Sequence, residues 1–496
     1  MVWLTPTLLT LAISLTGIGH AQPWRDELAT WSAATRPVRE LIRLTGTVDA
    51  TAGAYYLLMH GWIAGFGASP TALRLPSVLA MAGTAGLTAV LGRRLLGAPA
   101  GLLAGLLLAV LPSTSRYAQE ARPYAIASLL AVLATLLLVR ALDRPTWARW
   151  AGYAAVVVAL GLAHLLALSL LAPHAVVVVV AWWRGRAAAG LDGSPHSAER
   201  PARDEPDPGG PARTGARDGR LLRWPLALLV AGVLLLPLLS TARGQRSRQL
   251  DWIEPARLSD LSALPGAVAE SSVVGGLLVG LAALGAGRVG RRALLPGACV
   301  LLPVLLLYLA ALAVPLWVPR YLLFTVPFAC LLAGAALATV PAPAALAVLT
   351  LAGLLGLPDQ EALRRAHPPA GLIDYRGAAQ LVAAGQRPGD AVVYSPRDGW
   401  LFFDLGMAYH LGEDRPRDAL LVRNQRQRGD FWASECARPA ECLAGVQRVW
   451  LVVSGRRSDP LAAVGGAKGR TLRDGFTVER VWPRPGVTVA LLNRPG

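Results

Sequence analysis

The sequence predicts an all-α polytopic membrane protein with about eleven transmembrane helices and a small C-terminal α/β domain. Three observations carry that prediction. The 496-residue chain is 54% hydrophobic and only 16% charged, with a mean hydropathy of +0.45, whereas soluble proteins are about a quarter charged. Charge-free stretches of about 18 residues recur through the first 357 residues, each able to cross about 30 Å of hydrocarbon at 1.5 Å per helical residue. After residue 357 charges return and the long apolar runs stop. The expected domains are therefore 1–357 in the membrane and 358–496 outside it.

The expected spans are 2–21, 76–92, 98–114, 124–140, 150–165, 167–183, 224–241, 272–287, 294–315, 321–339 and 342–357. Residues 1–21 lack the basic start of a signal peptide and read as the first span, with the true start expected upstream. The apolar run 150–183 is too long for one crossing, so a turn is expected between His164 and Pro173.

Arginine placement sets the orientation. With the N-terminus cytoplasmic, Arg93 and Arg94, Arg140, Arg144 and Arg149, the segment 184–223, and Arg288, Arg291 and Arg292 all face inward. Segment 184–223 holds eight arginines and twelve Gly or Pro, and reads as a disordered cytoplasmic loop. About sixteen arginines lie inside and about twelve outside. The outer ones run against the trend and need a separate reason, of which an anionic ligand is one. The net charge of +17 is nearly all arginine; Lys468 is the sole lysine, as a GC-rich, actinobacterial coding sequence would yield. Because these charges sit in loops between apolar segments, the basic balance points to membrane topology and not to nucleic acid.

An odd number of spans places 358–496 outside the cell membrane. Strands are expected near 391–394, 419–422, 449–453 and 487–492, and helices near 374–385 and 400–411. Cys436 and Cys442 suit a disulfide in that oxidising compartment, the alternative being two free thiols. Cys299 and Cys330 fall within spans as small apolar residues.

The polar residues that could carry chemistry gather on the outer side. Asp26 and Glu27 follow the first span in the run Gln-Pro-Trp-Arg-Asp-Glu. The loop 22–75 carries apolar residues at helical spacing, as in Leu28, Trp31 and Ala34, and reads as amphipathic helices on the membrane surface. Asp49 and His60 lie further along it. The second outer loop, Arg116-Tyr-Ala-Gln-Glu-Ala-Arg-Pro-Tyr124, puts Arg116 and Glu120 four apart, on one face if helical, with Arg122 close by. Arg320 and Tyr321 end the next-to-last outer loop. No ionisable group is seen at mid-membrane depth and no internal repeat, which argues against a transporter. Carboxylates beside arginines suit a base working next to a bound phosphate, because the guanidinium fork pairs with phosphate oxygens in parallel.

Here the chain resembles a known class. Trp-Arg-Asp-Glu after the first span is similar to the acidic outer-loop motif of GT-C glycosyltransferases. The run at 116–124 resembles their family 39 branch, the protein mannosyltransferases and the aminoarabinose transferases of lipid A. Asp374-Tyr-Arg, followed by Pro388-Gly-Asp and a strand, resembles the soluble tail of bacterial relatives. The resemblance covers residues 1–400. It implies a polyprenyl-phosphate-linked sugar donor, with mannose or a related hexose favoured, and a hydroxyl acceptor on protein, lipid or wall polymer. Both would be reached from the outer face among membrane lipids. It implies Asp26 as general base with Glu27 beside it, donor-phosphate binding by Arg116, Glu120, Arg122, Arg320 and Tyr321, and an acceptor or secondary site at Asp49, His60 and Tyr124. Relatives carry His-Pro-Pro after the second acid, whereas Asp49 is followed by Ala-Thr-Ala-Gly.

The chemistry is consistent with these residue types. The sugar phosphate is a good leaving group, so the acceptor hydroxyl is the partner that needs a base, and arginines can stabilise the departing phosphate. A single displacement inverts the anomeric carbon. A divalent metal (Mg or Mn) bridging Asp26, Glu27 and the phosphate is compatible with the spacing and not demanded by it. The plainer readings are helix caps for Asp26, Glu27 and Asp49, an interfacial ion pair for Arg116, Glu120 and Arg122, snorkelling for Arg320 and helix packing for His60. A non-catalytic envelope scaffold and a lipid or solute transporter are the competing functions.

Overall fold

The computed structural model describes residues 1–191, 215–365 and 372–495. The chain folds into two compact units, each discontinuous in sequence. The first holds 1–14, 77–118 and 123–357; the second holds 15–76, 119–122 and 358–496. The first loop and the C-terminal segment therefore share one unit, a partition that crosses the boundary expected at residue 357.

The first unit is helical. Among the described residues seven segments are long and apolar enough to cross a membrane. An eighth is added if the bent pair Ala98–Val110 and Pro112–Ala118 counts as one span. The 40-residue segment Ser272–Ala311 contains two helices, Ser272–Val289 and Leu294–Ala311, and two shorter apolar helices are Leu4–Leu15 and Trp147–Ala163. Every expected span thus corresponds to an apolar helix, although the full-length crossings are fewer than eleven. The turn expected after His164 is present: Trp147–Ala163 ends there and a 3₁₀ segment, Leu165–Leu170, leads into Leu171–Leu191. The expected loop 184–223 begins and ends in helix, up to Leu191 and from Gly215, and its centre lies outside the described residues.

Small residues let these helices touch backbone to backbone. A methyl group on Gly285 would lie 1.8 Å from the Leu332 carbonyl oxygen, which locks Ser272–Val289 against Val326–Leu337. Three other helices share a polar knot that the sequence did not reveal. His174 is fully buried, with Nε2 3.0 Å from Thr135 Oγ1 and Nδ1 3.0 Å from the Tyr153 hydroxyl. Thr135 donates its one proton to the Ala131 carbonyl, so His174 Nε2–H donates to Thr135 and Nδ1 accepts from Tyr153. This corrects the expectation of spans without interior ionisable groups. With both nitrogens partnered, His174 connects helices and does not form an open proton site.

The second unit combines three helices of the first loop, Arg25–Ala34, Val38–Thr47 and Gly53–Phe66, with an α/β fold. Its strands are β1 (Ala391–Ser395), β2 (Arg417–Asp418), β3 (Leu421–Arg423), β4 (Ser434–Glu435), β5 (Arg448–Ser454), β6 (Thr477–Arg484) and β7 (Val487–Asn493). The five-stranded sheet runs β2-β1-β5-β7-β6, while β3 and β4 form a separate pair. β1 is parallel to β2 and β5, and β7 is antiparallel to β5 and β6. Its core gathers Val393, Leu451, Val453, Leu472, Ala490 and Leu492. Helices Tyr375–Gly385 and Phe403–Leu411 fall where the sequence placed helices. Cys436 and Cys442 form a disulfide.

Candidate active site

The helix Arg25–Ala34 starts directly after the Pro23-Trp24 pair, with Trp24 extended as its N-cap. Asp26 and Glu27 occupy its first turn, where the helix dipole favours carboxylates. Successive residues on a helix project about 100° apart, so the two acids face different surroundings.

Glu27 is sealed. Its Oε1 accepts from Arg74 Nε at 2.8 Å and from the Ala121 amide at 2.9 Å. Its Oε2 accepts from Arg74 Nη2 at 2.7 Å and from the Trp24 amide at 3.3 Å. Both side chains of the pair are 1% exposed. Arg74 spends its remaining donors on the carbonyls of Ile18, Ala21 and Gln22, at 2.8, 3.0 and 3.2 Å. All five guanidinium N–H groups are thereby used. A divalent ion bridging Asp26 and Glu27 would have to displace Arg74. Among the described residues no group of three His, Cys, Asp or Glu side chains is arranged to hold a metal.

Asp26 is open. Its side chain is 19% exposed, and its nearest cation is Arg25, with Nε 3.7 Å from Oδ1. No donor within hydrogen-bond distance satisfies its carboxylate among the described residues. Its backbone is fixed: Thr30 Oγ1 lies 3.1 Å from the Asp26 carbonyl and 3.0 Å from that of Ala121.

Asp49 and Arg122 meet through Tyr56. The Tyr56 hydroxyl donates to Asp49 Oδ2 and accepts from Arg122 Nη1 at 3.1 Å, and Arg122 Nη1 is 3.8 Å from Asp49 Oδ2. Burial, reinforced by the Asp49 charge, pushes the Tyr56 hydroxyl well above its usual pKa, so it keeps its proton. Asp49 has φ of +54°, an uncommon left-handed conformation for a non-glycine residue. Its side chain makes no capping bond to the following turn, so the helix-cap reading of Asp49 does not describe it.

His60 Nδ1 lies 2.8 Å from the Ala34 carbonyl. It therefore donates there and ties helix Gly53–Phe66 to the end of Arg25–Ala34. The C-terminal segment grips the same loop. Gln22 Nε2 donates to the Ile373 carbonyl at 2.8 Å, and Gln22 Oε1 accepts from the Arg376 amide at 2.7 Å. Trp31 packs edge-on to Tyr409 at 5.2 Å. Arg36, fully buried, donates to the Asp430 carbonyl at 2.7 Å. Burial, together with nearby Arg426, lowers the Arg36 guanidinium pKa to about 10. Arg36 and Arg74, two of the outer-loop arginines that ran against the charge trend, are thus engaged within the protein. The partners of Arg74 lie up to 56 residues away and leave no local signal.

In the first unit a second set surrounds Tyr124. Arg320 Nε donates to the Tyr124 hydroxyl at 3.0 Å, and its guanidinium lies 5.7 Å from the Tyr321 ring centre and 5.4 Å from that of Trp252. Arg116 lies over the Tyr117 ring at 5.3 Å, and the Tyr117 hydroxyl donates to Glu270 Oε1 at 2.8 Å. His164 packs between Tyr124 and Tyr321, at 5.8 and 5.3 Å. Tyr117, His164, Trp252 and Glu270 were not among the site residues expected from sequence. Helix Pro112–Ala118 stops before Glu120, so the shared helical face expected for Arg116 and Glu120 does not exist. Glu120 itself is buried.

The fold is GT-C-like, as the resemblance read from sequence anticipated. Residues 53–189 match the family model of dolichyl-phosphate-mannose-protein mannosyltransferases. The chain is similar in structure to ArnT from Cupriavidus metallidurans in the apo state, with a TM-score of 0.62, 14% identity and coverage of 98% of this chain and 97% of that one. It is also similar to the same protein bound to undecaprenyl phosphate, with a TM-score of 0.60, 14% identity and the same coverage. Comparison with curated proteins gives no match.

Proposed function

We propose that this protein is a membrane glycosyltransferase that moves a sugar from a polyprenyl-phosphate donor to an acceptor hydroxyl, with Asp26 as general base. The match of 53–189 to a mannosyltransferase family and the likeness to ArnT bound to undecaprenyl phosphate support the donor class. A hexose, with mannose first, is the sugar the family match favours. The observation that carries the assignment of the base is the contrast between neighbours. Glu27 has no acceptor capacity left, whereas the Asp26 carboxylate is accessible and sits on a backbone held by Thr30 and by the Glu27–Arg74 pair.

In this reading the acceptor O–H attacks the anomeric carbon as the bond to the phosphate oxygen breaks. Its proton passes to Asp26, and polyprenyl phosphate leaves with the bonding electrons, inverting the centre. Arg116, Arg122, Arg320 and Tyr321 take the donor-phosphate role, where cationic donors stabilise the charge that builds on the leaving group. Glu27 is a positioning residue. Asp49 and Tyr124 are held through hydroxyl bonds to Arg122 and Arg320, which suits fixing those arginines. Arginine bias supports a cytoplasmic N-terminus and an extracytoplasmic first loop and C-terminal segment. The acceptor is a hydroxyl of a protein, lipid or wall polymer.

The test is Asp26→Asn in purified, folded protein, supplied with a panel of polyprenyl-phosphate sugars with and without chelator. Donor consumption should fall by roughly 10²–10⁴-fold. Wild-type turnover by the Asn variant would exclude Asp26 as the base.

A further inference from the structure

An open cleft of about 380 Å³ in the first unit lies between residues 252–267 and 317–319, next to the Arg320 and Tyr321 pair read from sequence. Its volume falls in the roughly 300–1,000 Å³ range of small-molecule sites. Two indoles line it, Trp252 and Trp317, together with Glu254, Arg257 and Asp260. Trp317 is only 8% exposed, held edge-on by Tyr308 at 5.4 Å. Its indole N–H makes no hydrogen bond to the described residues and so is available to an acceptor in the cleft. Trp252, by contrast, is 41% exposed and offers aromatic surface beside the contact it makes with Arg320.

The carboxylates complete a recognisable chemistry. Asp260 uses Oδ2 to accept from the Arg257 amide at 2.7 Å, which fixes the carboxylate and leaves Oδ1 for another donor. Glu254 is exposed and 3.7 Å from Arg257. The lining thus offers apolar ring faces, carboxylate acceptors and an indole donor, with two acids to one arginine. That balance disfavours an anion and suits a ligand with an apolar C–H face and several hydroxyls. The cavity is too small for a polyprenyl chain. It also adjoins the phosphate-binding candidates, because Pro319 lines it and Arg320 is the next residue, lying 5.4 Å from the Trp252 ring centre.

We infer that this cavity is a subsite for a sugar ring, with Trp317 donating to a ring hydroxyl and Asp260 and Glu254 accepting from others. The inference rests on the glycosyltransferase reading above and deepens it. The ring comes either from the donor sugar or from a glycan acceptor, which share this chemistry.

The test uses full-length protein in lipid nanodiscs. Free mannose, glucose and galactose are the binding probes, followed by saturation-transfer NMR, and KM is measured separately for donor and acceptor. Trp317→Phe keeps the ring and removes the N–H; Glu254→Gln removes a charged acceptor at an exposed position. Each should weaken sugar binding or raise one KM by about tenfold, the worth of one hydrogen bond, with kcat nearly unchanged. A rise confined to donor KM assigns the donor sugar, and a rise confined to acceptor KM assigns the acceptor. No sugar binding in wild type, or unchanged affinity and KM in both variants, means the cavity holds water alone and overturns the inference. Sugar binding that persists while no donor is turned over sinks the transferase reading instead, so the two failures are distinguishable.

Discussion

Two buried ion clusters in the second unit solve the same problem differently. In the first loop one arginine faces one carboxylate: Arg74 and Glu27 are bonded in parallel, both 1% exposed, with every donor and acceptor used. In the α/β fold Arg397 serves three carboxylates. Nε donates to Glu435 at 2.8 Å, Nη2 to Asp418 at 2.6 Å, and Nη1 lies 3.4 Å from Asp404. Lys468 supplies a second cation, 2.8 Å from Glu435. The one-to-one pair is neutral and closed. The knot has three acids to two cations, and its Asp404 carboxyl is pushed up to about 6, chiefly by burial, with the neighbouring Asp418 charge adding to it. Matched charges make a rigid mount. Unmatched ones make a site that responds to pH.

The comparison can be broken most forcefully at Glu27. Glu27→Ala leaves Arg74 buried without its counter-ion and strips an acceptor from the Trp24 and Ala121 amides. It should cost about 3–5 kcal/mol, read as a lowered melting temperature and faster hydrogen exchange across 15–76, with transfer lost alongside. Unchanged exchange there would remove Glu27 as the mount for Asp26. Arg397→Met should cost less, about 2 kcal/mol. Its three carboxylates are 12–23% exposed and can take up water or protons, and Lys468 remains. Exchange should rise across 391–435 and stay unchanged across 15–76.

The smallest effect is the pH response of Asp404. Its carboxyl holds a proton more tightly in the folded state, about 6 against 3.8. Folding therefore binds protons, and this group's contribution is fully present below about pH 4 and lost as pH rises through 6. Asp404→Asn should flatten that part of the stability–pH curve, by on the order of 1 kcal/mol, in chemical denaturation between pH 4 and 8. An unaltered curve would show that Asp404 takes up no proton on folding in this range.

Much of the fold was legible because the signals were local. Each apolar stretch became an apolar helix, since backbone groups in hydrocarbon must bond within their own segment. The break after His164 was readable from length alone. Strand β6 was missed because Thr-Val-Glu-Arg-Val-Trp-Pro-Arg is an exposed edge strand with weak alternation, recruited by pairing with β7. The shared face expected for Arg116 and Glu120 failed because i, i+4 spacing has meaning only inside a helix, and that helix ends at Ala118.

By itself the sequence determined which segments could enter a membrane and that acids and arginines would cluster in particular loops, because hydropathy and charge are sums over neighbours in the chain. It favoured Asp26 as the base through a resemblance and left Glu27 without a role of its own. Only the tertiary structure gave a physical reason to separate them: Glu27 closed against Arg74, 47 residues away, and against the Ala121 amide, 94 away, while Asp26 kept an accessible carboxylate. Acceptor capacity is limited, so whichever carboxylate folding saturates is withdrawn from chemistry, and that choice is made by partners distant in sequence.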